Sequence, residues 1–126
     1  MHVLVAEDDE TNRAFVLEVL AMFGYSATGV TDGRSALAAL AEQAFDVCVV
    51  DCRMAPVSGQ EVTRERRRIE AEMGLPRMPI IGLTGDASRA NQEACLSAGM
   101  DAVLHKPIDI NVLAETVGRQ LVDTRS

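Results

Sequence analysis

The stretch FDVCVVDCRMAPVSG, residues 45–59, contains a strand suited to a protein core that ends on a charge. Its four consecutive apolar residues, Val47 to Val50, are typical of a strand buried on both faces of a parallel sheet. Asp51 follows directly, and Gly59 comes eight residues later. A strand that served burial alone would end on glycine, asparagine or proline. The aspartate therefore indicates that a carboxylate is held at the strand end for a functional purpose.

Composition and charge narrow the class of protein. The chain has 126 residues, 48% of them apolar and 25% charged, which predicts one globular domain over residues 1–126. No apolar run approaches the ~20 residues of a membrane span, and we expect neither a membrane span nor a secretory signal. A net charge of −7 argues against nonspecific nucleic-acid binding, and we expect the basic run RERRR, residues 64–68, to face solvent on a helix. The three cysteines lack metal-ligand spacing and predict reduced thiols in a cytoplasmic protein.

Short apolar runs alternate with longer helical patterns along the chain. Five such β-α units predict an α/β fold, a doubly wound five-stranded parallel sheet with helices on both faces. Three of the helices are followed by glycine, which ends a helix without a Cβ clash. In the fourth helix, Ala90, Ala94 and Leu96 are the expected buried positions. The predicted strands are 3–6, 27–30, 47–50, 79–83 and 102–104, and the predicted helices are 10–23, 32–43, 59–73, 88–98 and 110–122.

Polar residues follow four of the predicted strands. Glu7 and Asp8 follow the first strand, Asp51 the third, Thr84 the fourth and Lys106 the fifth. Parallel strands of a doubly wound sheet carry their sites at their carboxyl ends, so these side chains are expected to meet. Clustered carboxylates need a cation to relieve their repulsion, and all-oxygen ligands suit Mg²⁺. Together with a lysine for an anion and a carboxylate nucleophile, this set predicts a phosphoryl-transfer site.

Each of these residues has a structural explanation when it is taken alone. Asp8 or Asp9 can cap the helix that follows, and Thr84 can be a turn residue. A lysine before a proline carries little information. The conjunction of all four strand ends is what favours function.

Four segments together resemble the receiver domain of two-component response regulators. They are VLVAEDDETNR (3–13), VVDCRMAPVSG (49–59), PIIGLTGDA (79–87) and GMDAVLHKPID (99–109), and the likeness covers residues 3–122. The resemblance implies the flavodoxin-like (βα)5 fold with strand order 2-1-3-4-5. It also implies a conformational switch that catalyses its own phosphorylation and dephosphorylation.

The resemblance assigns roles to the strand-end residues. Asp51 would take a phosphoryl group from the phosphohistidine of a histidine kinase or a histidine phosphotransfer protein. Thr84 would bond the bound phosphoryl group, and Lys106 would pair with its oxygens. The Lys106–Pro107 peptide bond is expected to be cis. A homodimer is one assembly that the resemblance allows.

The resemblance also implies a Mg²⁺ site. Asp8 would bind the ion directly, and Glu7 would bind it through water. Asp51 and the backbone carbonyl of Arg53 would complete the protein ligands.

Some positions depart from the family pattern. Ala55 stands where proline is usual, four residues after Asp51, and Val103 stands where the fifth strand usually carries an aromatic switch residue. The Thr-aromatic movement of the family is therefore not expected in its usual form. Arg53 and Asp86 occupy the two positions that flank the water path to the phosphoryl group. Their opposite charges suggest that they pair and slow the loss of phosphate.

Three other classes of protein fit the sequence less well than a functional receiver domain. A hydrolase or phosphotransferase of the haloacid dehalogenase kind wants a second aspartate two residues after the first, where Arg53 stands. A flavodoxin needs a Ser/Thr-rich phosphate loop after the first strand, and this sequence has no such loop there. A noncatalytic receiver-like module is disfavoured by the intact acidic residues, Thr84 and Lys106. Within the receiver family, the segments look closest to receivers attached to hybrid sensor histidine kinases, and a single-domain regulator is the alternative.

Overall fold

The five strands form one parallel sheet in the order β2-β1-β3-β4-β5, as the sequence predicted. The computed structural model describes residues 1–125, with side chains for residues 1–122. The strands are β1 (His2–Ala6), β2 (Ser26–Val30), β3 (Val47–Asp51), β4 (Ile80–Thr84) and β5 (Ala102–His105), and the helices are α1 (Glu10–Met22), α2 (Gly33–Glu42), α3 (Gly59–Met73), α4 (Arg89–Ala98) and α5 (Ile110–Arg125).

The sheet is buried on both faces at its centre. Every residue of β3 and β4 is buried, whereas the edge strands β2 and β5 have no fully buried position. Alternate residues of β3 enter two separate cores because successive strand side chains point to opposite faces. Val47 and Val49 pack with α1 and α5, while Cys48 and Val50 pack with α2, α3 and α4. This double burial explains why the strand appears in the sequence as an unbroken apolar run.

The loop after β3 folds back onto the strand end. A Cβ atom at Gly59 would collide with the carbonyl oxygen of Asp51, so the position requires glycine. Ser58 and Glu61 form a reciprocal capping box that begins α3 at this point. The Ala55–Pro56 bond and the Lys106–Pro107 bond are both cis, and the second of these was expected. At Gly59 the loop thus packs closely against the backbone at the end of β3.

The basic run of residues 64–68 corrects one expectation from the sequence. Arg66 and Arg67 are only 15% and 14% exposed at their side chains, and they do not belong to a solvated face. Arg67 donates to Glu70 (2.9 Å), Asp101 (2.8 Å) and the carbonyl oxygen of Gly99 (2.9 Å). The guanidinium is largely buried because it donates hydrogen bonds to acceptors on two other segments, the one before β4 and the one before β5. Arg68, which is 52% exposed, fits the original expectation.

The buried face of α4 also differs from the prediction. Ala90, Ala94 and Leu96 are exposed, and the helix buries Cys95 and Ala98 instead. Cys95 Sγ lies 3.3 Å from Cys52 Sγ, and burial raises the pKa of the Cys52 thiol. All three cysteines are free thiols. Among the described residues, no helix combines the length and the apolar character needed to cross a bilayer.

Candidate functional site

Three carboxylates meet where β1 and β3 end. Glu7, Asp8 and Asp51 each contribute one oxygen to a set whose members lie within 4.8 Å of one another. The parallel register that pairs Ala6 with Val50 brings these strand ends side by side. Glu7 is fully buried and Asp51 is 4% exposed, whereas Asp8 faces solvent. Two carboxylates that lie this close together and are buried from water require a compensating positive charge.

Lys106 supplies part of that compensation from the end of β5. Its Nζ lies 2.8 Å from Glu7 Oε1 and 3.1 Å from Asp51 Oδ2. Burial works to lower the pKa of Lys106, but its hydrogen bonds to Glu7 and Asp51 outweigh burial and raise the pKa above the usual lysine value. Lys106 is the only lysine in the chain. The ammonium is therefore charged at neutral pH and bridges the two buried carboxylates.

The other oxygens of the buried carboxylates accept backbone bonds. The backbone N–H of Asp9 donates to Glu7 Oε2 at 3.2 Å, and that of Arg53 donates to Asp51 Oδ1 at 3.1 Å. Asp9 also caps α1, since its side chain accepts a bond from the backbone N–H of Asn12. The N-cap role that was open to Asp8 or Asp9 thus belongs to Asp9, which leaves Asp8 without it.

Thr84 lies at the same edge, at the end of β4. It follows Leu83, which is the register partner of Asp51, and it is 1% exposed. Its hydroxyl oxygen accepts bonds from the backbone N–H of Asp86 and from Asn91 Nδ2, each at 3.0 Å. The structure therefore brings the strand-end residues that the sequence selected together at one edge of the sheet. It adds Asn91 to this group. No motif pointed to Asn91, because its position depends on how α4 begins.

Metal binding at this edge is consistent with the donor set. Carboxylate oxygens are hard ligands that suit Mg²⁺ or Ca²⁺ better than metals that prefer thiolate or imidazole. Three carboxylates beside one ammonium leave two formal negative charges uncompensated. A divalent cation would balance them. The exposed position of Asp8 leaves one side of the cluster open to solvent.

The family of the protein follows from comparison with known proteins. The family model for the response regulator receiver domain matches residues 3–118. The chain belongs to this family. The chain has the fold and the strand order of receiver domains, and the haloacid dehalogenase and flavodoxin alternatives are thereby set aside.

This receiver domain is similar to part of several much longer sensor proteins. Sensor histidine kinase RcsC of Salmonella typhimurium is 32% identical over 117 residues, and virulence sensor protein BvgS of Bordetella pertussis is 36% identical over 117 residues. These matches cover 93% and 91% of this chain but only 12% and 10% of the relatives. The chain thus spans about a tenth of the length of the curated relatives that it matches.

Solved structures include other receiver domains. The receiver domain of sensor histidine kinase PA1611 from Pseudomonas aeruginosa is 34% identical with a TM-score of 0.85, covering 96% of this chain and 97% of that one. That structure has a magnesium ion coordinated in its active site cleft. The receiver domain of the Francisella response regulator 1452 is 28% identical with a TM-score of 0.86, and 98% of each chain is covered.

The receiver domain does not form the expected ion pair between Arg53 and Asp86. Within the part of the chain that the structure describes, Arg53 is exposed and has no carboxylate within 4.0 Å of its guanidinium. The pKa of Asp86 is lowered mainly by bonds from Ser88, and the charge of Arg53 adds a smaller effect. The two charges therefore act on each other at a distance and do not close the site.

A cavity of about 320 Å³ opens beside Glu7 and Lys106 of the receiver domain. Phe15 and Ile108 line it, together with Glu7 and Lys106. Both apolar side chains are half-buried, so they belong partly to the core and partly to this surface. The cavity joins an apolar wall to the charged site.

Proposed function

We propose that this receiver domain accepts a phosphoryl group on Asp51 from a phosphohistidine. The observation that carries the proposal is the position of Asp51, a nearly buried carboxylate at a strand end that Lys106 bonds at 3.1 Å. A carboxylate oxygen of Asp51 attacks phosphorus, the P–N bond to histidine breaks, and the imidazole leaves with a proton from solvent. Lys106 and the Thr84 hydroxyl bond the oxygens of the transferred group.

Mg²⁺ is the cofactor that we propose for this reaction. Glu7, Asp8, Asp51 and the carbonyl oxygen of Arg53 would hold it, which matches the few-ligand, water-rich coordination that Mg²⁺ adopts in phosphoryl-transfer sites. When bound, the ion neutralises charge on the phosphoryl oxygens. The three carboxylates within 4.8 Å support this assignment.

The partner that we infer is a histidine kinase or a histidine phosphotransfer protein in the cytoplasm. The kinship with sensor kinases supports this partner class, and the residues 1–126 would then act as one receiver unit. The cavity walled by Phe15 and Ile108 offers an apolar contact next to Lys106, which bonds Asp51. Phe15→Ala and Ile108→Ala should slow transfer from a phosphohistidine protein more than labelling by acetyl phosphate. Equal slowing of both reactions would indicate damage to the fold.

Acetyl phosphate tests the chemistry without any partner. The wild-type domain with Mg²⁺ should gain the mass of one phosphoryl group, and omission of Mg²⁺ should prevent it. Asp51→Asn keeps the size of the side chain but removes the nucleophile, so labelling should disappear. Asp46→Asn is the matched control, because Asp46 is an exposed aspartate at the opposite end of β3 and should leave labelling intact. Full labelling of Asp51→Asn would contradict the proposal.

A further inference from the structure

We propose that Asn91 is a positioning residue that aims the Thr84 hydroxyl at the phosphoryl group on Asp51. The inference rests on the proposed function and adds a residue to that site. Asn91 lies in the first turn of α4, outside every strand-end motif. Its Nδ2 atom lies 3.0 Å from Thr84 Oγ1 and 3.1 Å from the carbonyl oxygen of Asp86. One side chain thus joins helix α4 to the end of β4.

The direction of the hydrogen bond from Asn91 is fixed by chemistry. A backbone carbonyl oxygen only accepts hydrogen bonds, so the amide atom facing the carbonyl of Asp86 must be the NH₂ group. The same NH₂ group faces Thr84, and it therefore donates to the hydroxyl oxygen. This settles the amide orientation from the bonding pattern, which distances alone do not do.

Two donors then fill the acceptor capacity of the Thr84 hydroxyl. A hydroxyl offers two acceptor lone pairs and one donor hydrogen. The backbone N–H of Asp86 and the Asn91 amide occupy the lone pairs, each at 3.0 Å. The hydroxyl hydrogen is the one bonding element that remains.

That hydrogen has a poor partner in the structure. The carbonyl oxygen of Asp86 lies 3.4 Å from Thr84 Oγ1, which is long for an O–H···O bond, whose usual range is ~2.5–3.0 Å. Thr84 is also 1% exposed, so little water competes for the hydrogen. An anionic oxygen of a phosphoryl group on Asp51 would be a stronger hydrogen-bond acceptor than this carbonyl. Because both lone pairs are occupied, the hydroxyl gives up only the long bond to the Asp86 carbonyl when it donates to the phosphoryl group.

The position of Asn91 is itself fixed by the start of its helix. Ser88 caps α4, and its hydroxyl accepts from the backbone N–H of Asn91 at 3.2 Å. The loop before the cap is held by Asp86, which accepts from the backbone N–H of Ser88 at 2.9 Å. The amide is therefore preorganised by the cap, and any change in the first turn of α4 reaches Thr84 through it.

The test is a double-mutant cycle on the rate of labelling by acetyl phosphate at saturating Mg²⁺. Asn91→Ala should slow labelling about tenfold, equivalent to ~1.4 kcal/mol of barrier. Asn91→Asp should slow it further, because a carboxylate accepts the Thr84 hydrogen and turns it away from Asp51. In the Thr84→Ala background, Asn91→Ala should change the rate less than about twofold, since the group on which it acts is gone.

Controls separate positioning from damage to the fold. Gln92→Ala alters the exposed neighbouring position of the same helix and should keep the wild-type rate. Asn91→Ala at the wild-type rate, or equal slowing by Asn91→Ala with and without Thr84, would overturn the positioning role while Asp51 labelling stands. Failure of the wild-type domain to label at all would instead overturn the proposed function, and this inference with it.

Discussion

Lys106 shows at the scale of one residue how the site depends on charge. As the only lysine of the chain, it is the single ammonium side chain available to the two buried carboxylates. Arginine would not substitute directly, because its planar fork spans a different geometry from that of a point charge. The same ammonium that relieves repulsion in the unphosphorylated domain is the group proposed to meet the phosphoryl oxygens.

The stabilisation by Lys106 should be lost at high pH. The pKa of Lys106 is raised in the folded protein above the ordinary value of 10.5, so its contribution is complete below that value and falls as pH rises through the folded pKa. Lys106→Gln should lower the free energy of unfolding by about 1–3 kcal/mol at pH 8. Urea unfolding of both proteins should show that this difference shrinks above about pH 10.5. A difference that stays equal at pH 8 and at pH 11.5 would refute the assignment.

Arg67 holds three elements together at the edge of the sheet opposite the candidate site. It joins α3 to the carbonyl oxygen of Met78 before β4 and to Asp101 before β5. Arg67 also bonds the carbonyl oxygen of Gly99 after α4 and the buried Glu70, which accepts from the backbone N–H of Met78 as well. The network explains why the start of β4 and the end of α4 are fixed relative to α3.

Loss of Arg67 should destabilise the fold far more than loss of its neighbour. Arg67→Met removes the bonds that the guanidinium donates to Glu70 and Asp101, whereas Glu70 keeps its ion pair with Arg66. Loss of hydrogen bonds to charged groups of this kind should cost about 1.5–3 kcal/mol. Arg68→Met on the same helix removes only exposed pairs with Glu65 and Glu72 and should change stability little. Urea unfolding of the two variants measures both effects. Similar stability of the two variants would show that the hydrogen bonds of Arg67 do not stabilise the fold.

At the element scale, the strands were predictable and the helix faces only in part. Val47–Val50 and their counterparts are unbroken apolar runs, which leave little ambiguity in a doubly covered sheet. In α4, by contrast, the sulfur of Cys95 packs on Cys52 and the apolar Leu96 faces solvent. The burial of Arg67 was also not predictable from the local sequence. Its partner Asp101 lies 34 residues further along the chain, and no local pattern reveals that contact.

The candidate site was predictable as far as strand ends determine it. Glu7, Asp51, Thr84 and Lys106 each end or follow a strand, so the fold alone brings them together. Asn91 is reached from a helix cap, and its place depends on the backbone path after Thr84. Whether Arg53 contacts Asp86 likewise depends on the conformations of the two side chains, which the sequence does not reveal.

Binding of Mg²⁺ should stabilise the whole domain. The proposed site exists only in the folded arrangement of carboxylates, so a tenfold excess of Mg²⁺ over its dissociation constant should add about 1.4 kcal/mol to the free energy of unfolding. For a domain of this size the melting temperature should rise by roughly 3–6 °C. Asp8→Ser should abolish the rise, whereas Asp9→Ser keeps a good helix cap and should retain it. Equal Mg²⁺ responses of the two variants would place the ion elsewhere.

Chemical trapping of the phosphorylated domain tests the central claim most directly. Borohydride reduces an acyl phosphate to an alcohol, so a phosphorylated aspartate becomes homoserine. After treatment with acetyl phosphate and Mg²⁺, peptide mass spectrometry should find homoserine at position 51 and aspartate at positions 8, 46 and 86. The product should be absent without acetyl phosphate. Homoserine at another position, or none in a domain that has gained a phosphoryl group, would contradict Asp51 as the phosphoacceptor.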